Sequence, residues 1–490
     1  MARFGAGIFY YINISRLVNW KACVFDSAAA QTSATLRGIK NTCFPRESLR
    51  IEGMILMYKK ATEDLIKFIE GATDCYQAVE RIAEILRSNG YRELYECEKW
   101  EVQNGGKYFV VRNLSSVIAF EIPKGEYVGL MIAASHSDSP SYKIKPDAEV
   151  TGGAYTRLNV EGYGGMIAST WLDRPLGVSG RIVLKTENGL QTKLVKIDED
   201  FLVIPNLAIH LNRKINEGQK LNPAKDMLPL AGDGAKPGRF FERIAEAAGV
   251  QTDAIIAHDL FLYNRMPGSI WGMDGEYFSI GRIDDLQCAY TSLRGFLESD
   301  ETEALKMYCV FDNEEVGSGT KQGAKSTFLT DVLERIHSAL GLDREKMNRA
   351  LSSSFMLSAD NGHAVHPNLP EMSDLTSRPV LNGGVLIKHN ANQKYTTDAV
   401  SDAIFKTICQ RANVPYQTYT NRSDIPGGST LGNLANEKLS LNTVDMGAAQ
   451  LAMHSAYETG GVRDTLYLIQ AFRAFYSTAI RALPAGGYEF

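Results

Sequence analysis

Residues 307–318, MYCVFDNEEVGS, decide how the chain reads. The stretch opens as an unbroken apolar run, 307–311, of the kind that forms a strand buried on both faces. It then turns abruptly polar, with Asp312, Glu314 and Glu315 ahead of Gly317. Working outward, residues 285–296 and 327–340 carry apolar side chains at helical spacing, and 354–357 is another short apolar run. Helices alternating with apolar strands predict an α/β sandwich. In such open sheets, sites assemble beyond the carboxyl ends of the strands. A strand that runs into acids is therefore a place to look for ligands.

Toward the N-terminus, residues 61–89 show helical spacing through Leu65, Phe68, Ile69, Val79, Ile82, Ile85 and Leu86, and Asn89-Gly90 ends the pattern. Residues 108–111 and 116–120 read as an antiparallel pair turning at 112–114, and 129–134 as a buried strand leading into His136. Between 151 and 263 the character changes to short strand-like runs, 181–184, 194–197 and 201–204, with turn signals such as Asn188-Gly189. This predicts a β-rich domain, 148–263, inserted into a catalytic α/β domain formed by 57–147 and 264–490. A chain of 490 residues that is 44% hydrophobic has enough apolar material for two such cores. Residues 1–50 are basic, with Asp26 and Glu47 as their only acids, and rich in Ser, Ala and Thr. That is a transit-peptide composition. The run 5–14 also resembles a weak signal-peptide core, but Arg16 and Lys21 follow it with no clear cleavage site. The reading favoured here starts translation at Met54 or Met57, leaving 1–56 as a leader outside the fold.

The net charge of −5 gives no basic surface for displacing counterions from nucleic acid. No apolar run is long enough to span a bilayer. The seven cysteines form no CxxC pair and are odd in number, which predicts free thiols in a reducing, cytoplasmic setting.

Five segments place polar residues where an apolar run or a turn ends: AASHSDSP (His136, Asp138), GRIDDL (Asp284, Asp285), VFDNEEVGS (Asp312, Glu314, Glu315), LSADNGHAVHP (Asp360, His363, His366) and LAMHS (His454). Each alone has an ordinary reading. His136-Ser137-Asp138 suits a turn, Asp284-Asp285 a helix cap, Glu314-Glu315 a solvated pair, and His454 a hydrogen-bonded core histidine. As a set, His136, Asp284, Glu315, Asp360 and His454 offer the mixed nitrogen and oxygen donors that suit Zn²⁺. Three carboxylates against two dications leave a positive surplus that polarises a carbonyl and acidifies a bridging water. Asp138, two residues beyond His136, is placed to orient that imidazole, and Glu314, adjacent to a ligand, to act as general base. No GxSxG nucleophile motif occurs.

Over residues 57–480 the chain resembles the aspartyl aminopeptidase-like M18 family of metallo-aminopeptidases. The resemblance is carried by HSDSPSYKIKP (136–146), STWLDRPL (169–176), IPNLAIHLNR (204–213), RIDDL (282–286), FDNEEVGS (311–318), SADNGHAVHPN (358–368), SDIPGGST (423–430) and TVDMGAAQLAMHS (443–455). It implies two zinc ions per subunit, one on His136 and Asp360, the other on Glu315 and His454, with Asp284 bridging and Glu314 as base. It also implies a peptide substrate with N-terminal Asp or Glu, and a homo-oligomer, often a dodecamer, built through the inserted domain. Lys388, in VLIKHNANQKY, matches as the cation for an acidic side chain; the alternative is a solvated loop lysine. His363 and His366 either line the pocket or bond within their loop. Gly427-Gly428-Ser429 is a tight turn close to substrate. His210, His258, His337 and His389 read as structural or exposed. The chain departs from the family at Ser169, where many members have His, and at Asp285, where Asn is usual and which makes Asp285 a rival to Asp284. Two other readings share the ligand set: a dinuclear acyl-amino-acid hydrolase, and an inactive scaffold of the same fold.

Overall fold

The structure is a computed structural model that describes residues 44–490 other than 152 and 235. All features below belong to the compact unit Glu52–Phe490, apart from the first residues of the helix Phe44–Gly71. The leader readings for 1–43, with Cys23 and Cys43, lie outside the described residues.

A nine-stranded mixed sheet forms the centre. Its four middle strands, Leu305–Phe311, Leu130–His136, Phe355–Ala359 and Asn442–Gly447, lie side by side and parallel. Their sequences read as unbroken apolar runs because helices cover both faces. Alternate residues divide cleanly between the two. Met131, Ala133, Tyr308, Val310, Phe355 and Leu357 join one core with Ile82, Leu286, Ile404 and Phe472 of the helices Cys75–Ser88, Ile283–Glu298, Ala399–Arg411 and Val462–Tyr476. Leu130, Ile132, Met307, Cys309 and Met356 join the other with Val332, Ala350 and Leu431 of Phe328–Ala339, Arg344–Ser352 and Leu431–Asn436. The expected α/β sandwich is therefore present. Lys306 is the polar exception within the buried strand, and its ammonium is matched by Glu121 at 2.9 Å and Ser299 at 2.7 Å.

The hairpin expected around 112–114 forms, with Arg112 paired to Ser116 across a three-residue turn in which Asn113 and Leu114 are both at positive φ. The helical stretch expected over 61–89 is instead two helices, Phe44–Gly71 and Cys75–Ser88. The break lies at Thr73-Asp74, where the Asp74 carboxylate accepts the Tyr76 and Gln77 N–H groups at 2.7 and 3.0 Å and starts a new helix. The first helix begins well before residue 61. Met54, Ile55, Leu56 and Met57 are all exposed there, so no buried stripe marks those turns in the sequence.

A second, six-stranded sheet is antiparallel throughout, in the order Gly189–Leu202, Leu176–Thr186, Ile255–Asn264, Ser141–Val150, Tyr155–Tyr163, Leu230–Asp233. It has its own core, including Leu158, Val178, Ile182 and Leu260, with Phe240 and Ile244 of the helix Arg239–Ala248 packed on it. The run 194–197 belongs to the single strand Gly189–Leu202, whose exposed outer half carries no apolar alternation. A third sheet, Ser269–Trp271, Tyr277–Ile280, Glu458–Gly461, Ala449–Leu451, Gly362–His363, is short but holds the turn that carries His454.

His337, on Phe328–Ala339, is buried, with Nδ1 2.9 Å from the Leu333 carbonyl and Nε2 against the Tyr127 hydroxyl. Burial lowers its pKa from the ordinary 6.5. The unfolded chain therefore takes up a proton near pH 6.5 that the folded chain refuses, and stability falls as pH drops through that value. Urea midpoints of the wild type should decrease between pH 7.5 and pH 5. Replacing His337 with Leu should reduce that difference, and an unchanged difference would contradict the assignment.

Candidate metal centre

The register of the central sheet brings the first ligands together. Phe311 pairs with His136, and Ser358 with Ala134. The residues that follow Phe311 and Ala359, namely Glu314, Glu315 and Asp360, therefore emerge on either side of His136, at the carboxyl edge. Asp284 arrives from the start of Ile283–Glu298, where Asp284 and Asp285 depart from helical φ and ψ and the peptide between them is cis. His454 comes from the turn between Ala449–Leu451 and Glu458–Gly461. Three ligand-bearing turns contain a left-handed non-glycine residue: Arg282, Asn313 and His454 itself, at φ 63°, 63° and 66°. Such positions cost about 1–3 kcal/mol each and persist only where surrounding contacts hold them.

Three overlapping groups result: His136–Asp284–Asp360, His136–Glu314–Glu315 and Asp284–Glu315–His454, each with donor atoms within 4.8 Å of one another. Asp284 spans two of them. Its Oδ1 lies 3.5 Å from His136 Nε2, and its Oδ2 lies 3.3 Å from His454 Nε2, which is in turn 3.5 Å from Glu315 Oε2. Asp285 points elsewhere and accepts the His136 backbone N–H at 3.2 Å, so Asp284 is the residue at the middle.

The donor set fits a cation. Asp284 Oδ1 and Glu315 Oε1 are buried and accept no hydrogen bond. Burial, reinforced by Asp284, pushes Glu315 well above the usual carboxylate range. Burial opposes protonated His136 and His454, yet their carboxylate neighbours outweigh it, raising His454 to about 10 and His136 well above 6.5. The same acids that favour a proton on each imidazole would favour a metal dication between them. His136 Nδ1 is 3.0 Å from the Asp138 carbonyl oxygen, which leaves Nε2 free as a ligand atom. The Asp138 carboxylate accepts the Tyr163 hydroxyl at 2.6 Å and the Glu314 and Glu315 N–H groups at 3.2 Å. Burial pushes Glu314 up to about 7, with Asp360 and Asp138 adding to it and His136 opposing.

Lys388 ends the strand Val385–Lys388 fully buried, with its ammonium 3.5 Å from Asp360 Oδ2, 3.2 Å from the Asn361 carbonyl oxygen and 5.1 Å from the Tyr395 ring centroid. It is no loop lysine. His363 and His366 line a cavity of about 310 Å³ together with Tyr419, Gly427 and Gly428. Ser169 is exposed, on the short 3-10 helix Ala168–Trp171.

Three contributors escaped the sequence reading. Tyr163 holds Asp138 from the six-stranded sheet. Gly164, at φ 72°, approaches so closely that a Cβ there would sit 3.0 Å from the Glu315 Cβ. Glu458 accepts the Asp284 and His454 backbone N–H groups at 3.1 and 2.7 Å. Its one visible signal was an acid four residues beyond His454.

The family model described as Aminopeptidase I zinc metalloprotease (M18) matches residues 68–476. The chain belongs to the M18 family of zinc metallo-aminopeptidases, and is a hydrolase of that class. The probable M18 family aminopeptidase 2 of Clostridium novyi (strain NT) is 45% identical over 427 residues, which cover 85% of this chain and 99% of that protein. The probable aspartyl aminopeptidase of Ricinus communis is 33% identical over 463 residues, covering 84% and 94%. Among solved structures, the mApe1 dodecamer of S. cerevisiae superposes with a TM-score of 0.76 at 26% identity, covering 86% of this chain and 97% of that one.

Because the Asp138 carboxylate lies 3.4 Å from His136 Nδ1 and accepts the Glu314 and Glu315 peptide N–H groups, Asp138→Ala should weaken zinc binding by about 10–100-fold. Titration in zinc buffers checks this, and wild-type affinity would contradict the role.

Proposed function

We propose that this chain is a dinuclear zinc aminopeptidase that removes N-terminal residues from peptides, Asp and Glu by preference. The observation that carries the reading is Asp284, whose two carboxylate oxygens face two different histidines. In this reading His136 and Asp360 hold one zinc, Glu315 and His454 the other, and Asp284 both.

Bound zinc supplies Lewis-acid polarisation of the scissile carbonyl and of the attacking water. The chain's own residues do the rest. Glu314, in one group with His136 and Glu315, takes the proton from the water and returns it to the leaving amine. Asp138 keeps His136 Nε2 presented, and the buried peptide N–H groups of Glu314 and Glu315 fix the base beside its neighbours.

Three acids against two dications and the Lys388 ammonium leave a positive surplus that favours an anionic side chain. Tyr419 in the cavity wall packs 6.4 Å from Tyr395, the ring facing the Lys388 ammonium, so that charge lies just behind the wall where His363 and His366 stand. The fold of the S. cerevisiae dodecamer supports a homo-oligomer, with 148–263 as the assembly domain. The exposed Leu207, Ile209 and Leu211 in that region support it as well. Free thiols at Cys75, Cys97, Cys288, Cys309 and Cys409 support a reducing, cytoplasmic setting. Among the described residues no helix is long and apolar enough to cross a membrane.

Elemental analysis should find two zinc ions per chain. Glu314→Gln should keep both while turnover falls by about 10²–10⁴-fold. Asp- and Glu-linked chromogenic substrates should be cleaved faster than the Leu-linked one, and Lys388→Met should abolish that order. Cleavage of an N-acyl amino acid in preference to all three would contradict the aminopeptidase reading.

A further inference from the structure

Glu458 is fully buried and lies outside every group of donor atoms described above. It stands at the start of the strand Glu458–Gly461, where it pairs in register with Ile280, the last residue of Tyr277–Ile280. Asp284 lies four residues after Ile280, and His454 four residues before Glu458. The carboxylate reaches both. Oε2 accepts the Asp284 N–H at 3.1 Å, and Oε1 accepts the His454 N–H at 2.7 Å and the Gln450 amide at 3.3 Å. Every polar contact of the side chain goes to one of the two turns or to the strand Ala449–Leu451 that leads into the His454 turn.

Both turns need such a tether. His454 is left-handed at φ 66°, Ala452 at 55°, and Arg282 at 63° ahead of Asp284. A peptide N–H buried without an acceptor is destabilising, and either turn could relieve that by moving its ligand. A carboxylate offers one oxygen to each of the two peptide N–H groups. A glutamine keeps one acceptor and turns an N–H toward the other peptide.

We propose that Glu458 is a positioning residue that clamps the Asp284 and His454 backbones together, and thereby sets the zinc affinity of the group formed by Asp284, Glu315 and His454. The proposal rests on the two-zinc reading above and deepens it. Glu458 touches neither substrate nor metal. It acts by holding two ligands, distant in sequence, at one separation. A residue of purely structural worth would lower stability with and without zinc alike. Because His454 belongs to one group and Asp284 to two, a clamp lowers affinity most for the zinc that would take both of them.

The test is a zinc-buffer titration of the full-length wild type, Glu458→Gln and Glu458→Ala, with zinc bound per chain as the readout. Glu458→Ala should weaken one of the two zinc ions by about 10–100-fold, the range for residues that orient ligands. Glu458→Gln should weaken the same ion to a smaller extent. Two zinc ions held at wild-type affinity by a folded variant would overturn the clamp. A wild type that binds a single zinc would defeat the two-zinc reading instead, while a weakened single zinc in Glu458→Gln would still uphold the clamp. Hydrogen exchange of the zinc-stripped wild type decides the matter without any variant. The Asp284 and His454 amides should stay protected, and rapid exchange at either would overturn the proposal.

Discussion

The structure turns on one electrostatic constraint: a dense group of carboxylates is buried at the carboxyl edge of a parallel sheet with too few hydrogen bonds to satisfy it. Asp284, Glu315 and Asp360 converge there with two imidazoles, and two of their oxygens have no partner. An uncompensated buried ion costs several kcal/mol even after relaxation. A dication removes that cost and converts the same geometry into a catalytic centre. Much of the surrounding structure is arranged around this single requirement. Lys388 faces Asp360, Asp138 receives the Glu314 and Glu315 peptides, and Glu458 receives those of Asp284 and His454.

Three sheets meet at the site, and each supplies what the others cannot. The nine-stranded sheet sets His136, the Glu314-Glu315 turn and Asp360 at neighbouring strand ends. The five-stranded sheet fixes His454 through the strands on either side of its turn. The six-stranded sheet contributes Tyr163 and brings Gly164 against Glu315. A substitution in any of these layers therefore reaches the ligands through the peptide backbone.

The clustered acids and histidines were legible in the sequence because each lies where an apolar run or a turn ends, and the strands that lead into His136, Glu314, Glu315 and Asp360 are buried on both faces. The run 307–311 lies inside the strand Leu305–Phe311, and 129–134 largely inside Leu130–His136. Contacts made across long sequence separations were not legible. Glu458 and Asp284 are 174 residues apart, and Tyr163 and Asp138 meet through a different sheet. Local pattern also failed where burial was one-sided or absent, as in the exposed turn 54–57 of the helix Phe44–Gly71 and the outer half of Gly189–Leu202. A solvated loop lysine stayed open as the alternative for Lys388 because nothing in its own segment reveals Asp360 beside it.

Anomalous diffraction from crystals of the zinc-loaded protein, recorded on both sides of the zinc absorption edge, addresses the central claim most directly. The expected result is two peaks roughly 3.5–4 Å apart, the spacing of paired catalytic metals, with Asp284 between them and His136 and His454 on opposite sides. A map with no peak within reach of Asp284, or with peaks bound by other residues, would contradict it.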